Sequence, residues 1–394
     1  MPQLNRIDRV RGCLLGLAIG DALGAPLEGL SAQQVRAHYG QVDDYVDGSL
    51  AWKKKPYRWR MPGLYTDDTQ QALALCDVLL ECGRVDPDRL AGLYLGLANP
   101  KGSYVGAHRG VGRSFRQVLI ELEGGASPRH TGQLSAGIGA AMRIAPVALY
   151  HGTADPEGLF QSVTAASLMT HRDVRSLAGA LAVSHAVRHL MDGDAREPSL
   201  LFRIAAAVAR DEDRVVAQFP DVTSACRHRR SLSGAVAHAE SVLDLHRERA
   251  LSALVEEANR HGAEPACKRP TMGFPPACIP TCLYLLLTTD SFEEALVDVI
   301  NLGGDADSAG AILGALAGAF YGADAIPVRW LARLQNREAI ELRALALHAR
   351  SADGFDIPDL IEREHELSAM EGTCRESLLA HSQNGGDLGA NRRL

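Results

Sequence analysis

Two short acidic segments lie where helices are predicted to begin, and both combine carboxylates with hydroxyls. The first is Thr66-Asp67-Asp68-Thr69, and the second is Asp305-Ala306-Asp307-Ser308, which follows the pair Gly303-Gly304. Because glycine adopts backbone conformations that other residues avoid, this loop can turn so that the two carboxylates converge. Such oxygen ligands suit Mg²⁺, which keeps several of its waters and therefore needs few carboxylates. Brought together, the two segments would hold a pair of cations that clamp the oxygen atoms of a substrate.

Helix capping is the alternative explanation for the same carboxylates. Asp68 precedes Ala72 by four residues, and Ala72 begins an apolar stripe at helical spacing. Asp68 is therefore either a group on the inward face or an N-cap residue, with Gln71 completing a capping box. A cap would likewise account for one of Asp305 and Asp307. Capping does not account for two carboxylates in each segment, so both interpretations stay open at this point.

Glycines recur at every fourth position in two predicted helices. A glycine inside a helix costs about 1 kcal/mol relative to alanine, so two such rows indicate helices that approach closely. We expect both helices to lie at the centre of the protein and to contact each other. The first row is Gly12, Gly16, Gly20 and Gly24, and the second is Gly310, Gly314, Gly318 and Gly322.

Five further residues are candidates for a site, and each has a structural alternative. Asp21 lies within the first row of glycines, where a supporting role that orients backbone or water is favoured over direct ligation. Glu28 lies in a predicted loop, either as a catalytic group or as a solvated surface acid. His171 precedes a predicted helix, where it would contact a ligand or belong to a cap. Gly137 and Gly139 lie at a predicted helix start, whose free N–H groups could hold a phosphate.

Helical spacing dominates the chain, which predicts an all-α fold in one large domain over residues 1–380. Residues 42–64 are the main non-helical insertion, in which short strands could form. Residues 381–394 show no apolar period, which predicts a disordered tail. The predicted helices are 7–23, 69–82, 88–98, 111–122, 137–150, 157–168, 173–191, 199–211, 231–258, 277–287, 291–300, 308–321 and 338–348.

Composition narrows the class of protein. The chain has 394 residues, of which 46% are hydrophobic and 23% charged, as in globular proteins with a sizeable core. A net charge of −7 gives no general attraction to nucleic acid or to an anionic membrane. The eight cysteines include no CxxC pair, and neither a signal peptide nor a membrane span is predicted. We therefore expect a cytoplasmic protein with no nucleic-acid or membrane partner.

Taken together, these segments resemble the ADP-ribosylglycohydrolase family, which includes the dinitrogenase-reductase-activating glycohydrolases. The resemblance implies an all-α, orthogonal helical domain with a binuclear magnesium or manganese site at its centre. It rests on five segments in the family's order, namely RVRGCLLGLAIGDALGAPLE (9–28), YTDDTQ (65–70), AGIGAAMRIAP (136–146), MTH (169–171) and NLGGDADSAGAILGALAGAFYG (301–322).

The same resemblance implies roles for the candidate residues. Glu28 or a metal-bound carboxylate, Asp307, would act as the catalytic general base. The substrate-binding residues would be Gly106, Gly137, Gly139 and His171. The metal ligands would be Thr66, Asp67, Asp68, Asp305, Asp307 and Ser308.

Two departures from the family pattern concern specificity. Ile138 stands where members usually have asparagine, and Tyr104-Val105-Gly106 takes the place of the Asp-Ile-Gly motif of some arginine-specific members. With that alignment, an acidic partner for a guanidinium group is missing. The resemblance therefore implies binding of ADP-ribose but leaves the linkage open.

The implied activity is magnesium-dependent removal of ADP-ribose from modified proteins or small acceptors. The N- or O-glycosidic bond would break at the ribose anomeric carbon with oxocarbenium character, while the cations orient the ribose hydroxyls. The alternatives are a non-catalytic ADP-ribose-binding or crystallin-like structural protein and a two-metal phosphoesterase acting on a nucleotide. Intact ADP-ribose, no turnover, or AMP with ribose phosphate as product distinguishes the three.

Overall fold

The computed structural model describes residues 5–98, 106–193, 196–222 and 228–383. Within these ranges the chain forms helices and no named strand, with isolated β-bridges at Ser31–Gly303 and Gln133–His171. The all-α prediction is confirmed. The helices are α1 Arg6–Gly24, α2 Ala32–Tyr39, α3 Ser49–Trp52, α4 Asp67–Cys82, α5 Pro87–Leu97, α6 Arg113–Glu123, α7 Ala145–His151, α8 Pro156–Leu168, α9 Val174–Met191, α10 Ser199–Gln218, α11 Ser231–Glu240, α12 Arg247–Arg260, α13 Pro275–Thr288, α14 Phe292–Ile300, α15 Ala306–Tyr321, α16 Val328–Arg333, α17 Arg337–Ala349 and α18 Leu360–Gln383.

Helices α1 and α15 pack against each other in antiparallel orientation at the centre of the fold. A Cβ atom added to Gly16 would lie well under 3.0 Å from the carbonyl oxygen of Gly314, and one added to Gly20 would meet Gly310 in the same way. The glycines therefore allow direct backbone contact between the two helices, as their spacing predicts. Because Gly24 meets the start of α15 at Ala306, the chain that follows α1 reaches the second acidic segment.

Helix α1 is buried along almost its whole length. The segment Arg6–Leu27 is long and apolar enough to cross a membrane by length and composition, yet 94% of its most apolar window is buried inside the fold. Its side chains belong to a hydrophobic cluster that runs from Val10 to Leu367. Helix α1 is thus the core helix around which the other elements pack.

Several helices differ from the predicted set. The predicted helix 231–258 is two helices, because the chain turns after α11, where the Ser241 hydroxyl donates to the carbonyl oxygen of His238. The predicted helix 137–150 is a 3₁₀ turn, Ile138–Ala140, followed by α7. Helices α2, α16 and α18 were not predicted.

The insertion and the tail also differ from expectation in detail. Residues 42–64 contain the short helix α3 and a 3₁₀ turn at Pro56–Arg58 rather than strands. Helix α18 continues to Gln383, so residues 381–383 of the predicted tail are helical. Residues 384–394 lie outside the described part of the chain.

Candidate functional site

The two acidic segments lie at the N-terminal ends of α4 and α15 and face one cavity of about 380 Å³. Asp67 and Asp68 come from α4, while Asp305 and Asp307 come from the start of α15, together with the hydroxyl of Ser308. Glu28, which is half-buried, completes the acidic wall. The structure therefore brings together residues that are more than 200 positions apart in the sequence.

Asp21 holds the start of α4 in place. Its buried carboxylate accepts hydrogen bonds from the Thr66 N–H at 2.9 Å and hydroxyl at 2.8 Å. It also accepts from the Thr69 N–H at 3.0 Å and hydroxyl at 2.6 Å. Asp21 thus performs the capping work for α4 from another helix. The alternative in which Asp68 is the N-cap is not observed, since the helix begins at Asp67, and both carboxylates remain available to the cavity.

The second acidic segment is held by a loop that requires glycine. Gly303 and Gly304 have φ angles of 65° and 77°, in the left-handed region that favours glycine. The Gly304 N–H donates to the Leu30 carbonyl at 2.7 Å, and the Gly29 N–H donates to the Gly304 carbonyl at 2.6 Å. These bonds fix the backbone beside Glu28 directly against the backbone that precedes Asp305.

The acidic wall holds several carboxyl groups close together and away from solvent. Burial, together with Asp21 and Glu28, raises the pKa of Asp67 to about 8, and burial raises the pKa of Asp305 to about 6. Burial and the neighbouring carboxylates also raise the pKa of Asp68 and of Asp307. Such a group of carboxylates is costly to bury unless a cation or protons neutralise it.

These residues fit a hard divalent cation. Asp68 Oδ1 is fully buried and has no hydrogen-bond partner. A free oxygen in this position, beside other carboxylates, suits a metal ligand. The available donors are oxygen atoms, which Mg²⁺ and Mn²⁺ prefer. Among the described residues, no group of three or more His, Cys, Asp or Glu side chains has the geometry of a metal site. The fit to a cation therefore rests on the oxygen chemistry of the donors and on the unpartnered oxygen of Asp68.

His171 lines another wall of the same cavity, where glycines make room for its ring. A Cβ at Gly139 would lie 2.8 Å from the ring Cε1, and one at Gly137 would lie 3.2 Å from Nε2. Burial and the guanidinium of Arg143 lower the pKa of His171 to about 3, so its imidazole is neutral near pH 7. The wall thus offers a neutral histidine and closely approaching backbone.

Arg143 joins this wall to the acidic one. Its buried guanidinium donates to the Thr170 hydroxyl at 2.6 Å and to the side-chain oxygen of Gln71. The Thr170 hydroxyl lies 2.8 Å from His171 Nδ1, and the Gln71 amide donates to Asp67 Oδ2 at 2.7 Å. A continuous chain of hydrogen bonds therefore links His171 to Asp67. Sequence reasoning missed Arg143, although an arginine in a mostly apolar segment was an available signal.

Two predicted site residues do not line the cavity. Thr66 is buried behind it, with its hydroxyl bonded to Asp21 and to Asp68. Gly106 is not among the described residues that line the cavity, whereas Gly110 of the following loop and Arg113 at the start of α6 are. Ile138 does line the cavity. Tyr104 and Val105 lie outside the described residues.

A second cavity of about 340 Å³ adjoins the first. Ser135, Gly137 and Gly273 line both cavities. Its lining also includes Arg175, whose guanidinium pairs with Asp173 at 2.7 Å. The two cavities therefore lie side by side, with the segment that carries Ser135 and Gly137 between them.

The fold and the site define an all-α protein with a carboxylate-lined cleft at the N-terminal ends of two core helices. The family model described as ADP-ribosylglycohydrolase matches residues 2–355. The chain therefore belongs to the ADP-ribosylglycohydrolase family and is a hydrolase of that type.

Relatives and a solved structure agree with this assignment. The chain is 30% identical over 339 residues to the ADP-ribosyl-[dinitrogen reductase] glycohydrolase of Rhodospirillum rubrum, covering 85% of this chain and 93% of the relative. It is 27% identical to the ADP-ribosylarginine hydrolase Tri1 of Serratia proteamaculans, covering 86% of this chain and 79% of the relative. A solved ADP-ribosylglycohydrolase-related protein complex matches with a TM-score of 0.61 at 30% identity, over 88% of this chain and 99% of that chain.

Proposed function

We propose that this protein is a divalent-cation-dependent hydrolase that releases ADP-ribose from a modified protein or small acceptor by cleaving the bond at the ribose anomeric carbon. The observation that carries the proposal is the shared cavity, which is lined both by the carboxylates of α4 and α15 and by a neutral histidine, His171. Family membership supplies the reaction type, and the relatives' names supply the ADP-ribosylated class of substrate.

The buried carboxylates are the proposed cation site, with two Mg²⁺ or Mn²⁺ ions as the resident metals. When bound, the ions would supply Lewis-acid chemistry that orients the ribose hydroxyls and an attacking water. Binding is supported by the unpartnered oxygen of Asp68 and by the close group of buried carboxyl groups around it. The residues that would hold the ions are Asp67, Asp68, Asp305, Asp307 and Ser308, while Thr66 lies behind them and bonds to Asp68 through its hydroxyl.

Glu28 is the proposed general base. It lies on the cavity wall and is only half-buried, so its carboxylate is accessible to solvent. Its backbone is fixed, because Arg58 donates to its carbonyl oxygen at 3.2 Å and Gly29 bonds to Gly304. From this position the carboxylate would take a proton from the attacking water. Asp307, deeper in the same wall, is the second candidate for this role.

His171 and its glycines are proposed to bind the rest of the substrate. A neutral imidazole can donate a hydrogen bond without adding charge, and Gly137 and Gly139 allow a ligand to approach the backbone closely. The second cavity adjoins the first on this side. ADP-ribose is an elongated ligand. Its terminal ribose, which carries the bond that is cleaved, would lie at the carboxylates, and its adenosine end would lie beyond His171.

The test is product analysis with ADP-ribosyl peptides linked through arginine or through serine, each with Mg²⁺ or with EDTA. We expect free ADP-ribose from at least one peptide, only with Mg²⁺. Asp305→Asn should reduce the rate by about 100-fold or more, because it removes a buried charge from the proposed metal site. Asp290→Asn is the matched control, since its side chain is 98% exposed and does not line the cavity.

Each other product overturns the proposal in a specific way. AMP with ribose phosphate would indicate a phosphoesterase. Binding of ADP-ribose without any release from either peptide would indicate a non-catalytic binding protein. Release that is unchanged in EDTA would exclude the cation dependence.

A further inference from the structure

Helix α18 contributes a buried carboxylate to the back of the site. Glu364 has no solvent exposure and accepts hydrogen bonds from Tyr65 Oη at 2.5 Å and from Gln70 Nε2 at 2.8 Å. It also pairs with Arg109 Nη2 at 2.6 Å. Three donors from two separate segments therefore converge on one carboxylate.

The segments that Glu364 joins are those that carry the acidic wall. Tyr65 and Gln70 flank Asp67 in the chain, and the Asp67 N–H donates to the carbonyl oxygen of Arg109 at 2.7 Å. The Arg109 N–H in turn donates to the side-chain oxygen of Gln70 at 3.0 Å. Because Arg109 is itself held by Glu364, the start of α4 is attached to α18 through both its side chains and its backbone.

A second residue of α18 reinforces the same contact. The Ser368 hydroxyl accepts from Arg109 Nη1 at 2.8 Å and donates to the Ala107 carbonyl at 2.6 Å. Gln70 Nε2 also donates to the Ala107 carbonyl, at 3.0 Å. This loop continues to Gly110, where a Cβ would lie 3.2 Å from Asp67 Oδ1. Helix α18 thus supports two elements that line the cavity, the start of α4 and the loop that ends at Gly110.

Helix α18 lies beyond residues 2–355, the region that the family model matches. We propose that Glu364 is a positioning residue for the reaction, which fixes Asp67 and the loop 107–110 from a C-terminal helix outside the shared family region. This proposal rests on the proposed function, because it assigns Glu364 an effect on the same cavity. The carboxylate itself does not line the cavity and contacts no part of it that a substrate would reach.

The test compares the full-length wild type with Glu364→Gln and with Glu366→Gln. Glu366 lies on the same helix, but its side chain is 58% exposed and pairs with Arg363. Glu364→Gln keeps the size of the side chain while removing its charge and placing an amide donor where an acceptor is needed. Three measurements are made: hydrogen exchange of peptides covering 61–70 and 106–112, Mn²⁺ binding without substrate, and the kcat and KM of ADP-ribose release.

We expect Glu364→Gln to exchange faster in both peptides, to bind Mn²⁺ about 10-fold more weakly and to lose about 10- to 100-fold in kcat with little change in KM. Glu366→Gln should match the wild type in every measurement. If Glu364→Gln does not fold, Tyr65→Phe replaces it, because this variant deletes one donor to Glu364 and leaves the ion pair with Arg109 intact. It should show the same pattern with smaller changes.

The outcomes separate the two proposals. A wild type that neither binds Mn²⁺ nor releases ADP-ribose overturns the proposed function, whereas faster exchange confined to the two peptides of Glu364→Gln still supports positioning by α18. An active wild type whose Glu364→Gln variant has unchanged exchange, Mn²⁺ affinity and kcat overturns the positioning role. A variant that loses stability throughout the chain, with kcat unchanged while it remains folded, also overturns it.

Discussion

Arg143 connects the two walls of the cleft through its side chain. It holds Gln71 and Thr170, which in turn contact Asp67 and His171. Arg143→Lys keeps the charge, but one ammonium group cannot reproduce the planar set of donors that serves both partners. We expect kcat/KM for ADP-ribose release to fall by about 10- to 100-fold, measured by product analysis on protein shown to be folded.

Arg129→Lys is the matched control for that measurement. Arg129 pairs with Asp88 on the surface, where its side chain is 57% exposed, so the same substitution should leave the rate unchanged. If Arg143→Lys has the activity of this control, the hydrogen-bond chain between the walls has no part in catalysis.

At the residue scale, the sequence predicted the residues that would face a ligand better than those behind them. The carboxylates of both acidic segments stand next to one another in the chain, so their chemistry is visible without a structure. Glu364 is different, because its structural role depends on an ion pair with Arg109, which is 255 positions away in the sequence. Arg143 likewise depends on Gln71, 72 positions away. The spacing of residues within a short segment does not indicate partners that are so distant in the sequence.

At the scale of elements, the contact between α1 and α15 sets the position of the second acidic segment. In Gly314→Ala the added methyl group would collide with the carbonyl of Gly16, which is backbone and cannot rotate away. The helices would have to separate, and we expect a loss of at least about 3 kcal/mol in the free energy of unfolding. Urea denaturation measures this loss directly.

For Gly92→Ala, a substitution of the same kind in another helix, we expect a gain in stability rather than a loss. Gly92 lies inside α5, and a Cβ there would meet nothing within 4 Å. Alanine should therefore stabilise the protein by up to about 1 kcal/mol through its better helix propensity. Equal effects of the two substitutions would mean that the close approach of α1 and α15 does not limit stability.

Helix prediction succeeded for the long helices with an apolar buried face and failed for the short helices α2 and α16 and for α18, whose buried face is partly polar. The rows of glycine and aliphatic residues in α1 and α15 predicted both helices and their contact. Helix α18 presents Glu364, Ser368 and Glu371 to the protein interior, so a search for apolar periodicity does not detect it. The break between α11 and α12 depends on a local turn at Ser241, which periodicity also does not record.

At the scale of the whole molecule, buried titratable groups make the stability depend on pH in two opposing ways. Burial lowers the pKa of His108 to about 4, below its ordinary value of about 6.5. The unfolded state therefore binds its proton first, and the stability is lost as the pH falls through 6.5. The buried carboxylates act in the opposite sense, because their raised pKa values make the folded state bind protons more tightly.

A histidine variant isolates the first effect from the second. His108 is buried against Phe115, with 5.2 Å between the ring centroids, and its Nε2 lies 2.9 Å from the Tyr94 carbonyl oxygen. Glutamine is the chosen replacement because its side-chain amide could still reach that carbonyl. Between pH 7 and pH 5, the unfolding free energy of the wild type should fall relative to that of His108→Gln by roughly 2 kcal/mol. This follows because pH 5 lies about 1.5 pH units below the pKa of about 6.5 that histidine has in the unfolded chain. Urea unfolding of both proteins at both pH values gives this difference directly, and the contribution of the carboxylates cancels because it is common to both.

The control is His130→Gln, which replaces an exposed histidine and should follow the wild type. A His108→Gln protein with the same pH dependence as the wild type would mean that His108 is protonated inside the fold, and that the stability of the molecule at low pH is set by its carboxylates.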